Sequence, residues 1–202
     1  MANLAIYDFD HTLVTRDSFF LFLTEACGKL AMYSAVLCSA TLYAFLNKEA
    51  KQEFGFKSFM KQEIINRLLV GRTVDELTIV AARSRQKQII KKEVLDTLID
   101  HLDNGDTILI ASGSLSLYLS ELLRDIPYDG IVCTNISTEN GVVTGKMTNG
   151  NCVRKHKADL VKEWMDSQEK NSVFFDKIYA YGNPPDDLPL MEIADYPTLI
   201  DK

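Results

Sequence analysis

The chain has no surplus of positive charge. Its 202 residues carry 22 Lys and Arg against 28 Asp and Glu, a net charge of −6, and its pI is about 5.1. Sequence-independent nucleic-acid binding needs basic surface, so that class is excluded. Cysteine is sparse: Cys27, Cys38, Cys133 and Cys152 form no CxxC pair and no His/Cys cluster. They read as reduced, mostly buried thiols of a cytoplasmic protein. No basic stretch precedes the first apolar run, so a signal peptide is not expected. Repeats and low-complexity segments are absent. Uncharged runs are short but for one, "LAMYSAVLCSATLYAFLN" at residues 30–47, which lies between Lys29 and Lys48. Its 18 residues are the lower limit for a membrane span. Ser34, Ser39, Thr41 and several alanines dilute it, so the expectation is a helix buried in a bundle, with membrane contact as the alternative.

What is present is the balance of an ordinary globular protein, 47% hydrophobic and 25% charged. The length suits one domain with a full core, or a core that carries an insert. "LAIYDF" (4–9) is an apolar strand ending in carboxylates. From about Ser18 to Leu102 the pattern is helical, with breaks near Gly28, near Asn47 and at "VGRT" (70–73). "TILIASGS" (107–114) is a second buried strand. Strand-like runs surround Asn140-Gly141, a good hairpin signal. "KADLVKEWM" is an amphipathic helix, "KIYAYG" a third core strand, "DLPLMEIA" a helix and "PTLI" a last strand. Strands alternating with helices imply an α/β fold with a parallel, Rossmann-like sheet. The helical block between the first two core strands is too long for one crossover. It reads as an inserted all-helical domain, residues 16–90, on a core of residues 1–15 and 91–202.

In an open parallel sheet, ligands bind beyond the carboxyl ends of the strands. Those ends carry Asp8, Asp10 and Thr12 in "DFDHTL", Ser112 and Gly113 in "ASGS", and Gly182, Asn183 and Asp187 in "YGNPPDDL". Ahead of the third strand lies the Lys-rich helix start "NCVRKHKADL". This ordered set resembles the haloacid dehalogenase superfamily. Within it, the match is to phosphatases whose helical cap is inserted after the first motif, the phosphoserine phosphatase-like and phosphatidylglycerophosphatase-like branch. "DFDHTL" fits the DxDxT motif and "ILIASGS" the strand-then-Ser motif. "GVVTGKMTNGNCVRKHK" is similar to the branch's hairpin followed by Cys and the third-motif Lys. "AYGNPPDDLPLM" fits the motif usually written GDxxxD.

The resemblance implies that Asp8 is a nucleophile forming an aspartyl-phosphate and that Asp10 is the general acid and base. It implies that Ser112, Gly113 and Lys157 bind the phosphoryl group. Chemistry agrees: phosphoryl transfer needs an in-line nucleophile, neutralisation of phosphoryl charge and a proton for the leaving group. A serine before a helix could equally serve as its N-cap, and Lys155 is the local rival of Lys157. Mg²⁺ is the implied cofactor, held by the Asp8 side chain, the Asp10 carbonyl and Asn183, with Asp187 ordering its water. Where the family most often has Asp, this chain has Asn183, which still offers an amide oxygen but one charge fewer.

Asp17, nine residues after Asp8, matches a cap-proximal acid that contacts substrate in phosphoserine phosphatases, or it caps a helix. The Arg those enzymes use for the substrate carboxylate has no clear counterpart; Glu63 stands there, with Lys61 and Arg67 nearby. Phosphoserine is therefore not supported. Arg83, Lys87 and Lys91 are spaced as one helix face, either solvated surface or an approach to anionic lipid headgroups. The expected activity is hydrolysis of a small phosphorylated metabolite. The alternatives are a lipid-phosphate phosphatase at the membrane surface and, on the strength of Asn183, a relative that binds phospho-ligands without turnover.

Overall fold

The computed structural model describes residues 2–201, apart from the side chains of residues 53 and 54. In chain order its elements begin with β1 (Ala2–Tyr7), α1 (Ser18–Cys27), α2 (Lys29–Phe45), α3 (Lys48–Phe54), α4 (Phe56–Leu68), α5 (Val74–Arg85) and α6 (Lys92–Asp103). They continue with β2 (Thr107–Leu115), α7 (Ser116–Leu122), β3 (Gly130–Thr134), β4 (Ile136–Glu139) and β5 (Val142–Met147). Last come α8 (Arg154–Lys170), β6 (Phe175–Gly182), α9 (Leu188–Met191) and β7 (Tyr196–Leu199).

Five strands form one parallel sheet in the order β3-β2-β1-β6-β7. The central strands are apolar on both faces because both are covered. Along β1, Leu4 and Ile6 face one core with Val161, Leu190 and Met191, while Ala5 and Tyr7 face the other. The same alternation runs through β2, where Ile108 and Ile110 oppose Leu109 and Ala111. Strand order reverses between β1 and β6, which makes their carboxyl ends a topological switch point.

The helices α1–α5 lie between β1 and β2 in sequence. The β4–β5 hairpin is tied to them: Gly71 and Val74 amides donate to the Val143 and Gly141 carbonyls at 2.9 and 2.8 Å. The chain enters and leaves this helical region through adjacent segments, since Val14 bridges Ile90 and the Lys91 amide donates to the Leu13 carbonyl at 2.8 Å.

Two expectations need correction. The uncharged segment does form one helix, α2, but only Met32, Ala35 and Ser39 are buried. Leu30, Tyr33, Leu37 and Phe45 are 86, 63, 69 and 85% exposed. Among the described residues no single helix is long and apolar enough to cross a membrane. The spacing of Arg83, Lys87 and Lys91 does not make one helix face. Helix α5 ends at Arg85, Lys87 pairs with Glu25, and Lys91 donates to the His11 carbonyl at 2.8 Å. The residues around Ile90 give up helix to bridge Val14.

Candidate active site

Strand β1 runs straight into the site. After Tyr7, Asp8 is 4% exposed, and the chain then turns through His11, whose φ of 63° is left-handed. The turn is closed by Thr12 and Val14 amides on the Phe9 carbonyl, at 3.3 and 3.1 Å. That geometry returns Asp10 toward Asp8, and both line one cavity of about 480 Å³.

Asp8 is fully engaged. Its Oδ1 accepts from Lys157 Nζ at 2.7 Å, and its Oδ2 accepts from Thr12 Oγ1 at 2.8 Å. Lys157 also donates to Asp187 Oδ1 at 2.6 Å. Lys155 instead reaches outward to Asp159, so the lysine brought to Asp8 is Lys157. Burial pulls the Lys157 ammonium down, but Asp8 and Asp187 outweigh it and the net shift is upward. For Asp8, burial raises the carboxyl, Lys157 opposes, Asp187 adds to the rise, and the net is upward. One ammonium thus serves two buried carboxylates, which leaves a negative surplus.

Asp10 is held on both oxygens. Oδ1 accepts from the Ser18 amide at 2.7 Å and Oδ2 from Ser114 Oγ at 2.8 Å. Burial, followed by the nearby Asp17 charge, pushes its carboxyl up to about 6, against the opposing Ser18 and Ser114 bonds. A group titrating there can give and take protons near neutrality. Asp17 is the N-cap of α1, its Oδ1 accepting from the Phe20 amide at 3.0 Å, and it also lines the cavity.

The second loop is arranged differently from expectation. Ser112 is fully buried, and its Oγ accepts from the Ser114 amide at 3.0 Å. The Ser114 amide is therefore taken within the loop. The cavity wall there is formed by Gly113 and Ser114.

Asn183 turns its amide nitrogen toward three oxygens: the Asp10 carbonyl at 2.9 Å, Thr12 Oγ1 at 3.2 Å and Asp8 Oδ2 at 3.4 Å. Its backbone amide donates to Asp187 Oδ2 at 2.9 Å. Asp187 is thus bonded through both oxygens, to the Lys157 ammonium and to the Asn183 backbone amide. Gly182 permits this closeness: a Cβ there would stand 2.7 Å from Asp187 Cβ. Among the described residues no group of three or more His, Cys, Asp or Glu side chains is set to hold a metal. Yet a carboxylate oxygen and a backbone carbonyl converge beside a surplus of negative charge, the hard oxygen set that Mg²⁺ takes. A half-turn of the Asn183 side-chain amide would present Oδ1 to the same point. The residues fit the ion.

The upper cavity is apolar, with Phe19, Phe20, Val36, Phe56, Met60 and Ile64 in its walls. The Ser114 hydroxyl, bonded to Asp10, and Lys61 take part in the site in ways that the sequence analysis did not assign. The signal for Ser114 lay in "ASGS" itself; Lys61 had none beyond its place near the unmatched Arg position.

Comparison with known proteins agrees with this geometry. The family described as haloacid dehalogenase-like hydrolase matches residues 5–192. Phosphoserine phosphatase of Lactococcus lactis subsp. lactis (strain IL1403) is 30% identical over 194 residues, covering 95% of this chain and 80% of that protein. Protein CicA of Caulobacter vibrioides is 21% identical over 95% of this chain and 83% of that protein. Among solved structures, a protein of unknown function from Bordetella pertussis Tohama I superposes with a TM-score of 0.77 at 18% identity, covering 98% and 90% of the two chains. A phospho-aspartyl intermediate analogue of phosphoserine phosphatase superposes with a TM-score of 0.64 at 14% identity, over 98% of this chain and 86% of that one. At such identity the structures speak for the fold alone.

Proposed function

The chain belongs to the haloacid dehalogenase-like hydrolases, as a phosphatase of their phosphoserine phosphatase-like branch, and from that premise we propose a Mg²⁺-dependent phosphomonoester hydrolase working through Asp8. A carboxylate oxygen of Asp8 attacks phosphorus and the bond to the leaving oxygen breaks. Protonated Asp10 gives its proton to that oxygen, and the alcohol leaves. Asp10, now a carboxylate, takes a proton from water as the water oxygen attacks the aspartyl-phosphate. Phosphorus–oxygen cleavage then returns Asp8 and releases inorganic phosphate.

Lys157 neutralises phosphoryl charge as a point cation and stays protonated through the cycle. Gly113 and Ser112 shape the loop against which the phosphoryl oxygens rest. Mg²⁺, held by Asp8, the Asp10 carbonyl and Asn183, would supply charge neutralisation between carboxylate and phosphate. Residues 16–90 serve as the cap that covers the cavity, and residues 1–15 with 91–202 as the catalytic core; Asp17 meets the substrate from the cap side. The setting is cytoplasmic, where the four free thiols stay reduced.

The observation that carries this reading is the pairing at the end of β1. Asp8 is held by Lys157, and in the same cavity Asp10 has its carboxyl raised to about 6. Release of phosphate from an aryl phosphate, abolished by EDTA and by Asp8→Asn, is the expected result. Undiminished release by Asp8→Asn would refute it.

For substrate, a small phosphorylated metabolite remains the first reading. The apolar walls favour a second, a lipid phosphate, because they include Phe56, which is itself exposed, and Val36 of α2, a helix that also exposes Leu30 and Leu37. Co-sedimentation with anionic vesicles and turnover of a short-chain lipid phosphate would select that reading. Ligand binding with no turnover at saturating Mg²⁺ would instead select the non-catalytic one.

A further inference from the structure

Helix α4 turns one half-buried lysine into the wall of the cavity. Lys61 Nζ lies 5.4 Å from the Phe19 ring centroid and donates to the Gly113 carbonyl at 2.7 Å and to Asn151 Oδ1 at 2.8 Å. Those acceptors stand on two different core segments, the C-terminal end of β2 and the lead-in to α8. Thr134 at the end of β3 joins them: its hydroxyl donates to the same Gly113 carbonyl at 2.9 Å and accepts from the Cys152 amide at 3.0 Å. A single ammonium from the helical insert therefore bonds two core segments that Thr134 also links from β3. Gly113 makes room for Val153 rather than for the ammonium, since a Cβ there would stand 3.0 Å from Val153 Cγ1 but at an ordinary 3.6 Å from Nζ.

The consequence passes along the chain to the chemistry. The Gly113 carbonyl belongs to the peptide whose nitrogen is that of Ser114. That nitrogen donates to Ser112 Oγ, and the Ser114 hydroxyl donates to Asp10 Oδ2. Fixing the Gly113 carbonyl fixes the plane of that peptide, and with it the hydroxyl that orients Asp10.

We propose that Lys61 is a positioning residue through which the helical insert organises the Gly113–Ser114 peptide and hence the proton donor Asp10. The proposal rests on the phosphatase reading for its kinetic consequence, but its structural part stands apart from it. An ammonium drawn partly out of water onto two neutral acceptors is costly to keep. Burial pulls Lys61 down to about 8 against the opposing influence of Asp10 and Asp17. A residue serving packing alone would be cheaper as Met or Leu.

The test compares wild type with Lys61→Met, Lys61→Gln and Lys61→Arg in two measurements. With an aryl phosphate at saturating Mg²⁺, Lys61→Met is expected to lose roughly 10- to 100-fold in kcat with KM changed less than threefold, the signature of misplaced groups. Lys61→Arg, which keeps donors and charge, should recover a large part of that loss. By amide hydrogen exchange without substrate, Ser114 should exchange at least roughly tenfold faster in Lys61→Met, while β1 and β6 keep their protection. Lys61→Gln, which keeps N–H donors, carries the test if the Met variant does not fold. Wild-type kcat together with wild-type exchange at Ser114 would overturn the proposal, as would a loss of kcat matched by equal loosening of β1. Absence of turnover in wild type would strike the phosphatase reading alone, and the exchange at Ser114 would still decide the role of Lys61.

Discussion

Replacing Lys157 by Met removes the only cation bonded to Asp8 and Asp187 among the described residues, and its effect can be worked through. The three side chains are 3, 4 and 1% exposed for Lys157, Asp8 and Asp187, so solvent screens them little. Taking away one partner of a buried ion pair costs about 3–5 kcal/mol, because the remaining charge stays buried without compensation. For a chain of this size each kcal/mol lowers Tm by roughly 2–4 °C, so a drop of about 6–20 °C is expected. The loss should depend on pH with a definite sign. Asp8 is already raised in the folded state by burial, and Lys157 is the main group holding it down. In the variant its carboxyl rises further, the folded state binds the proton more tightly, and stability recovers as pH falls from neutrality toward 4. Adding Asp187→Asn removes the second unpaired charge, so the double variant should be more stable than the summed single losses by at least about 1 kcal/mol. Thermal unfolding of the four proteins at pH 7.5 and 5 measures all of this. A Tm loss below 3 °C at both pH values, or strict additivity, would refute the idea that one ammonium compensates two buried carboxylates.

Three further outcomes follow from the geometry. Asn183→Asp restores a charged oxygen beside Asp8 and the Asp10 carbonyl, so Mg²⁺ should bind roughly tenfold or more tightly by calorimetry; unchanged affinity would remove Asn183 from the ion's ligands. The pH profile of kcat/KM should fall on its alkaline side as Asp10 loses its proton. Because the Ser114 bond lowers the Asp10 carboxyl, Ser114→Ala should move that limb upward by about one unit; a downward shift would contradict the assignment. Gly182→Ala drives a Cβ to 2.7 Å from Asp187 Cβ, and should cost about 1–3 kcal/mol in thermal unfolding together with most of kcat.

Much of the fold was legible because the sheet strands are apolar runs that stop at polar punctuation. "LAIYDF" ends at Asp8 and "KIYAYG" at Gly182, and a parallel sheet puts such ends on one edge. Asp8, Asp10, Asn183 and Asp187 follow such ends, whereas Lys157 of α8 was reached only through the resemblance to a known family; the structure brings the five together. Other features were not legible for physical reasons. The 30–47 run gave a helix correctly, but hydropathy does not say what a helix faces, and α2 turns Leu30, Leu37 and Phe45 outward. Periodicity joined Arg83, Lys87 and Lys91 into one stripe, whereas a long-range bridge from Ile90 to Val14 ends the helix between them. Lys61 acts on groups 52 and 90 residues away, a distance that no local pattern encodes.

The central claim is that Asp8 becomes covalently phosphorylated. Its most direct test is rapid acid quenching of the enzyme turning over an aryl phosphate with Mg²⁺, followed by mass spectrometry of the peptide containing Asp8 and Asp10. The account predicts one added phosphoryl unit on Asp8, present during turnover and gone when substrate is exhausted. Steady turnover with that peptide never modified, or with the added unit on another residue, would contradict it.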